Sequence, residues 1–183
     1  MRVISGKYKG RRLTAPPGLA VRPTADRVKE TMFNILKSRA AVADKDVLDI
    51  FCGSGALGLE ALSCGAKSAV FVDSSAKSLE FTRKNLKNIA EPFGLIDADF
   101  RRAVKSLRGR VFGLILADPP YNADFYGLLL DGIAEYGLLA GDGVLVIEHN
   151  NQNSLQDYAK SYIIDTRVCG KTAVSFLTRR SDL

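Results

Sequence analysis

Residues 47–58 read VLDIFCGSGALG. The opening run, Val47-Leu48-Asp49-Ile50-Phe51, has the length and composition of a parallel strand buried on both faces. Glycines follow at Gly53, Gly55 and Gly58, where an apolar helical pattern begins. A strand, a tight glycine turn and a helix start together make a corner that receives a nucleotide-like ligand. Glycine is needed there because a side chain would block the turn or the ligand. The same spacing also serves an ordinary strand-to-helix turn. A dinucleotide is a second occupant, with its pyrophosphate on the helix N-terminus. Asp49 argues against the dinucleotide: an acid inside the strand, pointing toward the corner, suits a ligand that carries a cationic amine.

Outward from this corner, strands and helices alternate. The helix over 56–64 ends near Gly65. Ala69–Asp73 is a second buried strand. Ser74 or Ser75 caps a helix carrying Leu79, Leu86 and Ile89, which Pro92 bounds. Phe93–Asp97 is a short third strand, followed by a basic helix over about 100–108. Phe112–Ala117 is a fourth strand ending in Asp118. A helix over 124–136, a strand over 144–147 and a short helix over 152–159 come next. Residues 162–168 and 172–178 alternate apolar and polar around Gly170-Lys171, as an antiparallel pair does. The pattern predicts an α/β fold. Its sheet is doubly wound, seven-stranded and mostly parallel, with right-handed crossovers and a C-terminal antiparallel strand pair.

The N-terminal forty residues differ from the rest. They hold ten Lys or Arg against two Asp or Glu, a net of +8; since the whole chain carries +6, the remainder carries −2. Residues 2–14, RVISGKYKGRRLT, read as a small basic β-hairpin turning near Gly6–Gly10, with Lys7, Lys9, Arg11 and Arg12 crowded around Tyr8. Ala15-Pro16-Pro17-Gly18 is a turn or linker. Arg22-Pro23-Thr24 leads into a helix that Thr24 can cap. Asp26 suits its first turn, and Ala25, Val28, Met32, Ile35 and Leu36 form its core stripe. Clustered cations release counterions from phosphates, so Lys7, Lys9, Arg11, Arg12, Arg22 and Arg27 are candidate nucleic-acid contacts. A solvated basic surface is the plainer alternative.

At 183 residues one domain is expected, with 1–40 as a docking arm and 41–183 as the catalytic core. No apolar run reaches the roughly 18–20 residues of a spanning helix, and the basic N-terminus lacks the apolar stretch of a signal peptide. The expectation is a cytoplasmic protein without a membrane partner. Cys52, Cys64 and Cys169 are odd in number and lack metal spacing. His149 is the only histidine, so neither a metal nor a histidine triad is expected. Nothing calls for an obligate dimer, and a monomer is expected.

Ligands in such sheets bind beyond the carboxyl ends of the strands. Asp73, at the end of the second strand, is placed to accept from ribose hydroxyls or to cap a helix. Asp99 and its rival Asp97 flank the end of the third. The sharpest pattern is Asp118-Pro119-Pro120-Tyr121. Two prolines at the end of an apolar strand, set between an acid and an aromatic, are more than a plain turn requires. They restrict the backbone and so hold the Pro119 carbonyl in place.

Asp49-Ile50-Phe51-Cys52-Gly53-Ser54-Gly55 resembles the S-adenosylmethionine (SAM) loop of class I methyltransferases, a Rossmann-like fold. DPPY at 118–121 resembles the signature of methyltransferases acting on planar amino nitrogens. RVISGKYKGRRL, RPTADRVKETMFNIL, DIFCGSGALGLEALSCGA and DPPY in that order resemble the RsmD family over nearly the whole chain. That family methylates the 2-amino group of a guanine in small-subunit (16S) ribosomal RNA. The resemblance implies SAM as cofactor, with ribosomal RNA or an assembling small subunit as partner. It implies cofactor contacts at Asp49, Phe51, Cys52, Gly53, Ser54, Gly55, Asp73, Ser74 and Asp99, with the Phe100 N–H reaching the adenine ring. Thr24 and Asn34 approach the methionine end, and Asp118, Pro119, Pro120 and Tyr121 hold the guanine. Cys52 stands where the family more often has Ala, and Ser74-Ser75 where it has a charged pair.

The chemistry accounts for these residue types. An exocyclic amine is a poor nucleophile because its lone pair is delocalised into the ring. The Asp118 carboxylate and the Pro119 carbonyl can each accept one N–H, which turns the lone pair toward the methyl group, and Tyr121 can stack on the base. DPPY also occurs in DNA adenine methyltransferases, but those usually carry a separate target-recognition region. Glutamine-directed protein methyltransferases usually have Asn in the first motif position. A non-catalytic RNA-binding module would need only the arm, and a nicotinamide oxidoreductase would share the glycines but not DPPY.

Overall fold

The computed structural model describes residues 1–15, 23–120, 124–158 and 160–180, with the backbone alone at 23–25 and 124. Its elements are α1 (Pro23–Ser38), β1 (Asp46–Ile50), α2 (Ala56–Ser63), β2 (Ser68–Asp73), α3 (Ala76–Asn85) and β3 (Phe93–Asp97), then α4 (Phe100–Ser106), β4 (Phe112–Ala117), α5 (Asp124–Glu135), β5 (Leu139–Asn150), β6 (Tyr162–Cys169) and β7 (Thr172–Arg179). Among the described residues the strands form one seven-stranded sheet in the order β3-β2-β1-β4-β5-β7-β6. The first five run parallel; β7 pairs antiparallel with both β5 and β6. The order reverses between β1 and β4, so the corner and Asp118 leave neighbouring strands at the point where such sheets open a crevice.

Both faces of the sheet are covered, which is why its central strands are continuously apolar. Val47, Leu114, Leu116, Val144 and Val146 pack with α1, α2 and α3. Leu48, Ile50, Ile115, Ala117, Leu145 and Ile147 pack with α4 and α5. No helix among the described residues is long and apolar enough to cross a membrane.

Three expectations are corrected. The expected strand over 144–147 runs over 139–150. Its register on β4 shifts between Phe112 and Leu114, and His149 and Asn150 extend beyond β4 on the partnership with β7. The helix expected over 152–159 is a series of turns through its described residues. Asn150 and Ser154 side chains accept from the Gln152 and Gln156 N–H groups there, and such local bonds compete with a helical ladder. Thr24 lies inside α1 rather than capping it, because the helix opens at Pro23, whose missing N–H costs nothing in the first turn.

The N-terminal hairpin is short. Arg2 and Arg12 form one antiparallel bridge, in which the Val3 N–H donates to the Arg11 carbonyl (2.9 Å) and the Leu13 N–H to the Met1 carbonyl (3.1 Å); the Gly10 N–H closes the turn on the Val3 carbonyl (2.9 Å). The segment is also held by α2. The Glu60 carboxylate accepts from the N–H groups of Ile4 (2.9 Å) and Ser5 (2.7 Å), and the Lys7 N–H donates to the Ser63 carbonyl (2.8 Å). A Cβ on Gly6 would lie 1.8 Å from that carbonyl, and its φ of 78° is left-handed, so only glycine permits this approach. Val3 and Leu13 are buried in the α1–α2 core.

Candidate active site

The glycine corner is built against α3. Phe51 leaves β1 with φ 63°, a left-handed conformation that a bulky residue adopts only when its surroundings impose it. Here the surroundings are Phe100 and Phe125, whose ring centroids lie 5.2 and 6.0 Å from that of Phe51. The three rings make an apolar wall on the α4–α5 side of the strand ends. Thr82 donates to the Gly53 carbonyl (2.9 Å), and the Asn85 amide donates to the Ser54 carbonyl (2.9 Å). Asn85 also accepts from the Thr14 N–H (2.9 Å), so one side chain ties both the basic segment and the loop to α3. A Cβ at Gly53 would meet nothing within 4 Å, so this glycine faces open space.

The acids occupy distinct environments. Asp49 is buried and accepts from the Gly58 N–H (2.8 Å), holding the first turn of α2 from inside β1. Burial pushes its carboxyl up to about 7, and the charges of Asp118 and Asp73 push in the same direction. Asp73 accepts from the Gly53 and Ser75 N–H groups, each at 2.8 Å, and so fixes the loop relative to α3, which Ser75 caps. Asp118 keeps solvent contact at the end of β4, yet desolvation by the surrounding protein raises it to about 6. Glu148, half-buried on β5, is raised to about 8 by burial and then by the Asp118 charge.

Among the described residues no ion pair neutralises Asp49, Asp73, Asp118 or Glu148. This cluster of uncompensated carboxyls would repel a pyrophosphate and attract a cation. The first turn of α2, where a phosphate would bind, is already served by Asp49. The donor set therefore fits SAM, which carries a sulfonium and an ammonium, better than a dinucleotide.

The other expected residues fall as follows. Cys52 is buried against Thr82, and burial pushes its thiol well above the ordinary range. The Ser54 hydroxyl is turned to the Met1 sulfur (3.7 Å) and Ser74 is exposed. Asp99 caps α4 and takes the Arg101 guanidinium on both oxygens (2.8 and 3.1 Å), which holds its carboxyl below the usual range. Phe100 opens α4 with a buried ring. Asp97 lies in register with Asp73 at the end of β3, so both acids remain beside the corner. Pro119 is buried and Pro120 exposed. Asn34 is exposed on α1 and makes no hydrogen bond with a described residue. Arg22, Tyr121 and the Thr24 side chain lie outside the described residues.

Of the basic side chains, Lys7 pairs with Glu91 (2.8 Å) and Arg11 donates to the Lys87 carbonyl. Lys9, Arg12 and Arg27 are exposed and make no ion pair among the described residues. Beside Lys87 and Glu91 opens a groove of about 550 Å³ lined by Arg83, Lys84, Lys87 and Phe93, which extends the basic surface along α3.

Sequence reading missed Thr82, Asn85 and Glu148. The first two are polar positions within the buried stripe of α3. Glu148 directly follows the apolar run Val144–Ile147, much as Asp118 follows the apolar run of β4.

A family model described as conserved hypothetical protein 95 matches residues 1–178. A provisionally named rRNA methyltransferase of Bacillus subtilis, YlbH, is 36% identical over 185 residues, covering 98% of this chain and 100% of that one. The ribosomal RNA small subunit methyltransferase D of Escherichia coli is 29% identical over 182 residues, covering 99% of this chain and 91% of that one. A solved structure of a provisionally named methyltransferase from Escherichia coli superposes with a TM-score of 0.87 at 29% identity, covering 100% of this chain and 99% of that one.

Proposed function

The chain belongs to the family described as conserved hypothetical protein 95, and from that membership we propose that it is a SAM-dependent methyltransferase acting on the 2-amino group of a guanine in small-subunit (16S) ribosomal RNA. One observation carries the reading. Asp118-Pro119-Pro120 leaves β4 beside the glycine corner of β1, so a methyl donor and a planar amine can meet at the switch point. SAM, when bound, supplies an electrophilic methyl group on a sulfonium. The chain's own residues do the rest. Gly53 leaves room for the cofactor and Gly55 lets the turn pack closely on Thr82 and Phe71, while Asp73 and Asp99 or Asp97 accept from its ribose and adenine. Asp118 and the Pro119 carbonyl accept the two N–H bonds of the amine and orient its lone pair.

In this reading 1–183 is one domain, with residues 1–40 docking RNA and 41–183 catalytic. The protein is a cytoplasmic monomer that acts on ribosomal RNA or an assembling small subunit. Tritium-methyl transfer offered ribosomal RNA, genomic DNA and protein side by side tests it: label is expected in the RNA, at guanine. Label in DNA adenine or in protein overturns the assignment.

Two predictions follow from the site. Asp73→Ala is expected to weaken SAM binding by about 1–3 kcal/mol, because ribose hydroxyls lose their acceptor and Gly53 its anchor. Unchanged affinity by calorimetry, in a variant shown to be folded, removes Asp73 from the site. For the basic surface, Lys9 and Arg12 are the informative pair, since replacing them disturbs no ion pair among the described residues. The double Ala variant is expected to reduce the salt dependence of RNA binding by about one slope unit per lost phosphate contact, leaving SAM affinity intact. A slope identical to wild type makes these cations a solvated surface.

A further inference from the structure

Glu148 is not explained by the fold. It is half-buried at the carboxyl end of β5, and its neighbour in the β7 register is Val174. Its carboxyl takes no hydrogen bond from a described residue and joins no ion pair among them. A partly buried acid without a partner costs stability, so its presence calls for a use outside the fold.

Its placement is specific. Ala117 pairs with Ile147, so the next step of the register sets Asp118 beside Glu148, at the spacing of about 4.8 Å between neighbouring strands. Side-chain alternation gives the direction. Leu114, Leu116, Val144 and Val146 share one face with Val47, whereas Ala117 and Ile147 belong to the other. Continuing the alternation sends Asp118 and Glu148 to the face of Val47 and Asp49. Two acceptors thus stand side by side where the strands end, each lacking a counter-charge among the described residues. Burial and the Asp118 charge together hold Glu148 partly protonated in the free protein. Two N–H donors arriving between the pair would relieve that repulsion.

We propose that Glu148 is a second base-reading carboxyl of the acceptor site, which accepts the N1–H of the guanine whose 2-amino group faces Asp118; this deepens the guanine reading above and rests on it. Guanine presents N1–H and N2–H side by side on its Watson–Crick edge, a donor–donor pattern that two adjacent acceptors match. Adenine sets an acceptor nitrogen next to its amine, so Glu148 would face a lone pair. Enzymes that act on extruded bases read this edge, and a site built to bond one N–H discriminates strongly against an analogue without it.

The probe is an RNA carrying 2-aminopurine at the methylated position, which retains the 2-amino group and lacks N1–H. Single-turnover transfer is measured to guanine and to 2-aminopurine RNA with wild type, Glu148→Ala and Glu148→Gln. Wild type is expected to favour guanine by about 100-fold or more. In both variants the preference should shrink at least about tenfold with unchanged SAM affinity. Gln serves where Ala does not fold, since it keeps the shape and can donate to N1. Intrinsic differences in amine reactivity cancel in the comparison with wild type. An unchanged preference in the folded variants overturns the role of Glu148 while leaving the guanine reading intact. A wild-type protein that labels no guanine overturns both.

Discussion

Replacing Asp118 with Ala is expected to slow methyl transfer by roughly 100-fold or more while changing SAM affinity little. The effect is large because the amine is unreactive without orientation. Its lone pair belongs to the ring until both N–H bonds are accepted, and Asp118 is one of the two acceptors at the end of β4. SAM affinity is spared because the carboxyl serves the base. The ionised form is the better acceptor, and desolvation raises the group to about 6, so the wild-type rate should climb as pH rises through about 6. Asp118→Asn keeps an acceptor oxygen and loses the charge. It should lack that acidic limb and, if orientation dominates, outperform Ala; if proton removal or charge stabilisation dominates, both variants will be comparably slow. Single-turnover rates on one RNA across pH 5–8 give the answer. A near-wild-type rate for Asp118→Ala would remove the Asp-Pro-Pro segment from the chemistry.

The parts of this site that the sequence made legible are those set by local pattern. The run Val47–Phe51 and its glycines read as a buried strand turning into a helix, and the apolar run before Asp118 as a second buried strand ending at the carboxyl end of the sheet. What stayed hidden depended on partners distant in sequence. Asp49 looked directed at a ligand, but its carboxyl serves the Gly58 N–H nine residues on. The C-terminal extension of β5 rests on β7, more than twenty residues later, and no periodicity inside residues 139–150 records that pairing. The docking of the basic segment was hidden for the same reason: the N–H groups of Ile4 and Ser5 are satisfied by Glu60, more than fifty residues away. A lone acid in the otherwise apolar ALGLEALS was the available sign of that contact.

Glu60 is accordingly the position where the greatest loss of stability is expected: Glu60→Ala should lower the unfolding free energy by about 3–5 kcal/mol. Its side chain and that of Lys29 are only 1% and 5% exposed, and they meet at 3.1 Å. Removing the carboxylate leaves the ammonium buried with the Arg2 carbonyl as its remaining partner, and it orphans the Ile4 and Ser5 N–H groups. Each consequence alone is costly, and both fall on the seam between α2 and the N-terminal segment. Against a typical total of about 5–15 kcal/mol the loss is a large share, and the melting temperature should fall by roughly 10 °C or more. Lys29→Met should cost less, because the carboxylate then keeps its backbone donors. Glu60→Gln separates the contributions, since it retains an acceptor for those donors but not the charge. The seam should also open before the sheet does: amide exchange at Ile4 and Ser5 should accelerate in Glu60→Ala under conditions where the β1 and β4 amides remain protected. A urea midpoint within error of wild type, with unchanged exchange at Ile4 and Ser5, would show that the buried pair does not hold the basic segment to the core.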